Sequence, residues 1–131
     1  MHRKIQVWNM KRQKAMYELI HDGNVHCVKV VNSFIISCSA DKTTRIWNLE
    51  DGKLLKKLHH SKSCSNFDLN LKTMLLAVAH RSGVTLWDFL TKTKIKDIDL
   101  AGSVADLRFN QSGKILIIGK HDGEVFKADI N

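Results

Sequence analysis

The chain has 131 residues, 44% of them apolar, and 21 Lys and Arg against 13 Asp and Glu give it a formal net charge of +8. That length and apolar share suit one folded domain and exclude a disordered chain, and no apolar run approaches the roughly 20 residues of a membrane helix. The excess of positive charge leaves room for anionic partners such as RNA, an acidic protein surface or anionic lipid.

The opening MHRKIQVWNMKRQK has no apolar region of the kind a signal peptide needs, so an intracellular protein of cytoplasm or nucleus, without membrane insertion, is expected. IQVWN finishes one strand, MKRQ turns, and AMYELI runs back. Beyond HDGN come four further segments with strand-like alternation: VHCVKV, SFIISCS, TTRIWN and KLLKKL. Residues 33–58 within them read as a three-stranded antiparallel meander. SNFDLN, TMLLAVA, GVTLWD and KIKDIDL repeat the pattern, and VADLRFN, KILIIGK and GEVFKAD repeat it once more. The expected strands therefore number two, four, four and three. The chain has no proline, so its turns are expected from Gly, Asn, Asp and Ser in HDGN, ADKT, LEDG, RSG, QSG and HDG.

Tryptophan marks the period: Trp8, Trp47 and Trp87 stand 39 and 40 residues apart. Aligning GEVFKADI with TTRIWNLE puts Ala128 at the fourth position, with Phe126 as the alternative register. Cys27, Cys38 and Cys64 form no C-x-x-C pair, and their odd number argues against a disulfide framework. Each falls within a strand or at its start, where a cysteine outside a disulfide packs as a small apolar side chain.

With these features the sequence resembles the WD40-repeat β-propellers over nearly its whole length. The resemblance implies an all-β fold: a β-propeller segment of about three WD40 blades, each a four-stranded antiparallel meander. Residues 1–20 would be the last two strands of a preceding blade, 21–59 and 60–99 two blades, and 100–131 a degenerate blade lacking its outer strand. In the family a His, a Ser or Thr, an Asp and a Trp form a hydrogen-bonded tetrad; the matching residues are His21, Ser37, Asp41 and Trp47. A buried indole N–H needs an acceptor, because an unpaired buried donor costs about 1–3 kcal/mol. HDGN and ADKT would also make good turns by themselves. The later units keep partial tetrads: His60 and Trp87, with Ala77 and Arg81 at the Ser and Asp positions, then Asp122 alone. HRKIQVWN, aligned with DKTTRIWN, leaves His2 at the Asp position.

A blade has two apolar faces that neighbours must cover. Leaving about eight apolar side chains wet would cost about 12–24 kcal/mol, as much as a whole domain's stability of about 5–15 kcal/mol. Closed propellers use about four to eight blades. The chain is thus expected to be a piece of a longer propeller, or else to close with a second copy of itself.

No G-x-S-x-G, P-loop, H-E-x-x-H or G-x-G-x-x-G occurs, so no enzyme, cofactor or metal site is expected. His59 and His60 are adjacent on a strand end and point to opposite faces. Binding is the expected work. The resemblance places protein or peptide contacts at Asn24, His26 and Ala40, at Ser63, Ser65 and His80, and at Ser103, Ala105 and His121, on the face at the mouth of the central channel. Histidines there would make binding sensitive to pH near 6.5.

Basic residues of the outer strands, Lys53, Lys56, Lys57, Lys92, Lys94 and Lys96, form a second candidate surface, a rim for RNA or an acidic protein. Lysine on an exposed edge also serves simply to prevent edge-to-edge pairing, and the rim lacks the interleaved aromatics of a single-strand nucleic-acid platform. SADKTTRIWNLEDGKLLKKL further resembles blades of F-box/WD substrate receptors of ubiquitin ligases, although no F-box segment is present.

Overall fold

A computed structural model describes residues 3–130; His2, aligned above with the tetrad Asp, lies outside the described residues. The chain divides into two compact units, Met1–Ser63 and Cys64–Asn131. In the first unit β1 (Lys4–Asn9) pairs with β2 (Lys14–Ile20), and β3 (Val25–Val31), β4 (Phe34–Ser39), β5 (Thr43–Asn48) and β6 (Leu54–His59) form a meander in chain order. The second unit holds the four-stranded meander β7 (Cys64–Asn70), β8 (Leu75–His80), β9 (Gly83–Asp88) and β10 (Thr93–Asp99). Beside it lies the three-stranded β11 (Val104–Phe109), β12 (Ile115–Lys120) and β13 (Val125–Asp129). Every pairing is antiparallel.

Burial follows position in the sheet. The middle strands FIISCS and TTRIWN, and their counterparts LLAVAH and GVTLWD, are buried along nearly their whole length. The outer strand LLKKLH buries only Leu58, and TKIKDID is exposed except for half-buried Ile98. A strand covered on both faces must read as a near-continuous run of apolar or small side chains, whereas an outer strand can alternate with charge.

In the first unit Leu19, Ile35 and Trp47 form a core joined by Ile5, Val7, Tyr17 and Leu49. The Tyr17 hydroxyl donates to the Leu49 carbonyl, satisfying the polar tip of a ring whose body is packed. In the second unit Ala77, Ala79, Val84 and Leu86 pack against Val104, Leu107, Leu116 and Ile118. Asn66 Nδ2 donates to Asp106 Oδ1 at 2.9 Å, and the Phe109 amide donates to Asp68 Oδ2 at 2.8 Å, so β7 and β11 are also tied at their polar positions.

The pairing fixes which residues correspond between sheets. Trp47 stands opposite Ile35, Trp87 opposite Leu76, and Ala128 opposite Leu116. The third sheet thus takes the Ala128 register, with Phe126 opposite Ile118. The first strand of each full-length hairpin shifts register immediately after its first residue, between Val25 and Cys27, Cys64 and Asn66, and Val104 and Asp106. The skipped residues are His26, Ser65 and Ala105, one bulge at the same place in three sheets.

Gly52, Gly113 and Gly123 take positive φ in LEDG, QSG and HDG as expected, whereas other turns use residues the composition did not point to. Besides Asn32, the left-handed positions include Gln13, Lys42, Met74 and Lys92, with φ between 52° and 69°. Non-glycine residues tolerate such a backbone at a cost of roughly 1–2 kcal/mol, and tight hairpin closure imposes it here on whatever residue occupies the site. Gly83 shows the opposite case: at φ 149° a side chain would collide with the Ile98 carbonyl on β10.

Candidate functional site

The first unit builds a buried polar chain across its four-stranded sheet. Trp47 Nε1 donates to Ser37 Oγ at 2.9 Å, and Ser37 Oγ lies 2.6 Å from His21 Nε2. His21 Nδ1 lies 3.0 Å from Asp41 Oδ2. Because Ser37 accepts from the indole, its own proton goes to Nε2, which leaves the His21 proton on Nδ1 facing the carboxylate. His21 and Ser37 are wholly buried, and the His21 ring meets Trp47 edge-on, 6.0 Å between centroids. His21, Ser37, Asp41 and Trp47 are thus brought together as one network.

Arg45, which sequence reasoning missed, extends this network. It is 6% exposed. Its Nη2 lies 3.1 Å from Asp41 Oδ2, Nε donates to Thr43 Oγ1 at 3.1 Å, and Nη1 donates to the Ile20 carbonyl at 2.9 Å. Asp41 also accepts from the Asp22 amide at 3.0 Å and from the Thr43 amide and hydroxyl at 2.9 and 2.6 Å. Burial by itself would raise the Asp41 pKa, but hydrogen bonds from Thr43, the Asp22 backbone and His21 outweigh it and hold the carboxyl far below its ordinary value. The visible signal was position: Arg45 sits two residues before Trp47, on the same face of the strand.

The second unit replaces the tetrad with another chain. The turn from His80 to Gly83 is one residue shorter than that from Ser39 to Thr43, so counting back ten residues from Trp87 to Ala77 gives the wrong neighbour. By register, Val78 opposite Thr85 corresponds to Ser37 opposite Arg45. Thr85 Oγ1 donates to Asp97 Oδ1 at 2.7 Å and lies 3.2 Å from His80 Nε2, while the Ser82 amide donates to His80 Nδ1 at 3.2 Å. Lys94 Nζ completes the set at 3.0 Å from Asp97 Oδ2. Hydrogen bonds from Thr85 and then Lys94 lower the Asp97 pKa against a smaller effect of burial.

His80 therefore does not stand at the exposed position expected of it. It closes β8 opposite Cys64, as Ser39 faces Val25 and Lys120 faces Val104, and it is 8% exposed. Register gives the exposed place after the strand to Arg81, the place that Ala40 and His121 hold in their own sheets. His60 Nε2 lies 2.8 Å from Thr44 Oγ1, Trp87 is buried in the second unit, and Asp122 pairs with Lys120 at 3.2 Å and accepts from the Glu124 amide.

Of the proposed contact residues, Asn24, His26 and Ala40 are exposed together in the first unit, where the Ala40 amide donates to the Asn24 carbonyl at 2.8 Å. Ser63 is half-buried at the end of that unit. In the second unit Ser65, Ala105 and His121 are exposed and Ser103 is half-buried; Ser65 Oγ reaches the Val104 carbonyl and the His121 amide the Ser103 carbonyl.

The lysine rim is thinner than expected. Lys53 and Lys92 lie in turns rather than on strands, and Lys92 Nζ folds back to the Phe89 carbonyl at 2.5 Å, over the Phe89 ring. Lys94 is spent on Asp97, so Lys56, Lys57 and Lys96 remain as exposed charge on outer strands. Among the described residues no group of three His, Cys, Asp or Glu is arranged to hold a metal, and no helix is long and apolar enough to cross a membrane.

No protein-family profile matches the chain. The small ribosomal subunit protein RACK1y of Oryza sativa subsp. japonica is 27% identical over 94% of this chain and 40% of its own length. The protein ROOT INITIATION DEFECTIVE 3 of Arabidopsis thaliana is 26% identical over 92% of this chain and 33% of its own. The chain thus spans two fifths or less of these curated relatives, both WD40 proteins. Among solved structures, the computationally designed Ika4 protein superposes with a TM-score of 0.87 at 20% identity, covering 98% of this chain and 81% of that one. The C-terminal WD40 domain of Sif2 superposes with a TM-score of 0.83 at 22% identity, covering 97% and 38%.

Proposed function

We propose that the chain, built of WD40-type β-propeller sheets, works as a non-catalytic scaffold that holds protein or peptide partners on the loops beside the first strand of its sheets. The carrying observation is the repeated bulge. In three sheets the same residue of the first strand, His26, Ser65 or Ala105, is pushed out of the ladder and exposed. A bulge frees one side chain from pairing and re-aims it, while the buried network of His21, Ser37, Asp41 and Trp47 keeps the neighbouring loop rigid.

A second reading is favoured by two observations: a relative is named as a small ribosomal subunit protein, and Lys56, Lys57 and Lys96 are exposed on outer strands. In that reading the rim contacts RNA. Titration with RNA at increasing salt separates the two. A rim site gives a steep salt dependence that flattens when Lys56→Gln and Lys57→Gln remove phosphate contacts. The scaffold reading expects those changes to leave protein partners bound and His26→Ala to release them; the reverse pattern would overturn it.

A further inference from the structure

We propose that Cys27 and Cys38 form a reversible thiol–disulfide site, closed by exchange with a small disulfide oxidant such as oxidised glutathione. The two are register partners across β3 and β4, and neither is in a disulfide here. Side chains directly opposite in an antiparallel pair share one face of the sheet. The Cα separation of such pairs is about 4.5 or 5.5 Å according to whether the pair is hydrogen-bonded, and disulfides span about 4.4–6.8 Å. Both kinds of pair lie inside that range, so the bond needs little more than side-chain rotation.

The surroundings set the order of events. Cys27 is half-buried and follows the bulge at His26, whereas Cys38 is wholly buried. Cys27 is therefore the thiol an oxidant reaches. Its thiolate attacks one sulfur of oxidised glutathione, forming a mixed disulfide and expelling one glutathione thiolate. The Cys38 thiolate then attacks the Cys27 sulfur and expels the second glutathione. Two protein thiols are oxidised, one disulfide is reduced to two thiols, and the two protons released from the cysteines end on the departing glutathiones. Excess reduced thiol reverses both steps.

The other sheets show that this pairing is local to the first. The corresponding partners are Asn66 with Ala79 and Asp106 with Gly119, and Cys64 faces His80. Cys64 is wholly buried with no thiol opposite it, and serves as the internal control. Closing the bond would staple the strand that carries His26 to the middle of its sheet.

The test is incubation of the folded full chain with oxidised glutathione, followed by alkylation and peptide mapping by mass spectrometry. The expected result is a Cys27–Cys38 crosslinked peptide within single chains, with Cys64 still alkylated, fully reversed by reduced glutathione. Cys64→Ser should leave the bridge unchanged. Cys38→Ser should trap glutathione on Cys27, and Cys27→Ser should keep both remaining thiols. A glutathione adduct persisting on Cys27 of the unsubstituted chain with Cys38 alkylated, a bridge to Cys64, or three unchanged thiols would each overturn the proposal. The unsubstituted chain decides the matter even if a serine variant folds poorly.

Discussion

Arg45 and Asp41 form a buried ion pair at 3.1 Å, each with its side chain about one-fifteenth exposed. Arg45 also holds the Ile20 carbonyl and reaches Asp22 at 3.3 Å, so the pair clamps the loop leading from β2 into β3. Burial of two charges is tolerable only when further hydrogen bonds satisfy them, and Thr43, the Asp22 amide and His21 do so on the carboxylate side.

Removing one partner of such a pair leaves the other charge stranded, at a cost of about 3–5 kcal/mol. Arg45→Met should therefore lower the unfolding free energy by that amount in a denaturant titration. Lys57→Met, on the neighbouring outer strand, should change it by less than about 0.5 kcal/mol.

Ser37→Ala removes the acceptor of the buried Trp47 N–H and the donor to His21. A loss of about 1–3 kcal/mol is expected, the cost of leaving a buried polar group unsatisfied, read as a lower thermal midpoint. Val78→Ala in the second sheet removes only two methyl groups from the corresponding place. Its loss should follow cavity size, without the change in tryptophan fluorescence expected at Trp47.

Acid should weaken the first unit through Asp41. Its pKa is depressed on folding, so its stabilising effect is complete above the unfolded value near about pH 4 and is lost as pH falls through the lower folded value. Stability measured against pH should fall on the acid side, and Asp41→Asn should remove that part of the slope while lowering stability at neutral pH.

Gly83→Ala should be severe, because its added methyl collides with the Ile98 carbonyl in a backbone conformation that side chains avoid. Gly119→Ala is the contrast. Its nearest neighbour would be the Asp106 carbonyl at 3.9 Å, an ordinary contact, so a change within about 0.5 kcal/mol is expected by thermal melting.

The tryptophan period and strand alternation made the sheets legible, and His21, Ser37, Asp41 and Trp47 could be matched because the first unit's turns have the lengths the pattern needs. The second unit could not be read the same way. One residue fewer in the His80–Gly83 turn moves by one every correspondence counted back past it from Trp87, which hid Val78 and the place of His80. Cys27 and Cys38 lie symmetrically about the Asn32–Ser33 turn, so their pairing was available once that turn was placed. Counting three cysteines directed attention away from it. The fate of Lys92 was not legible, since its retreat onto Phe89 depends on a left-handed turn that its residue type does not announce.

The central claim is that partners meet the loop face and not the rim. A photo-crosslinking amino acid placed singly at His26, His121, Lys57 or Met10, with Met10 as a freely exposed control at 81% exposure, tests this in cells that make the protein. The account predicts discrete protein adducts from positions 26 and 121 and none above background from 57 or 10. Adducts confined to position 57, especially to RNA, with silence at 26 and 121, would contradict it.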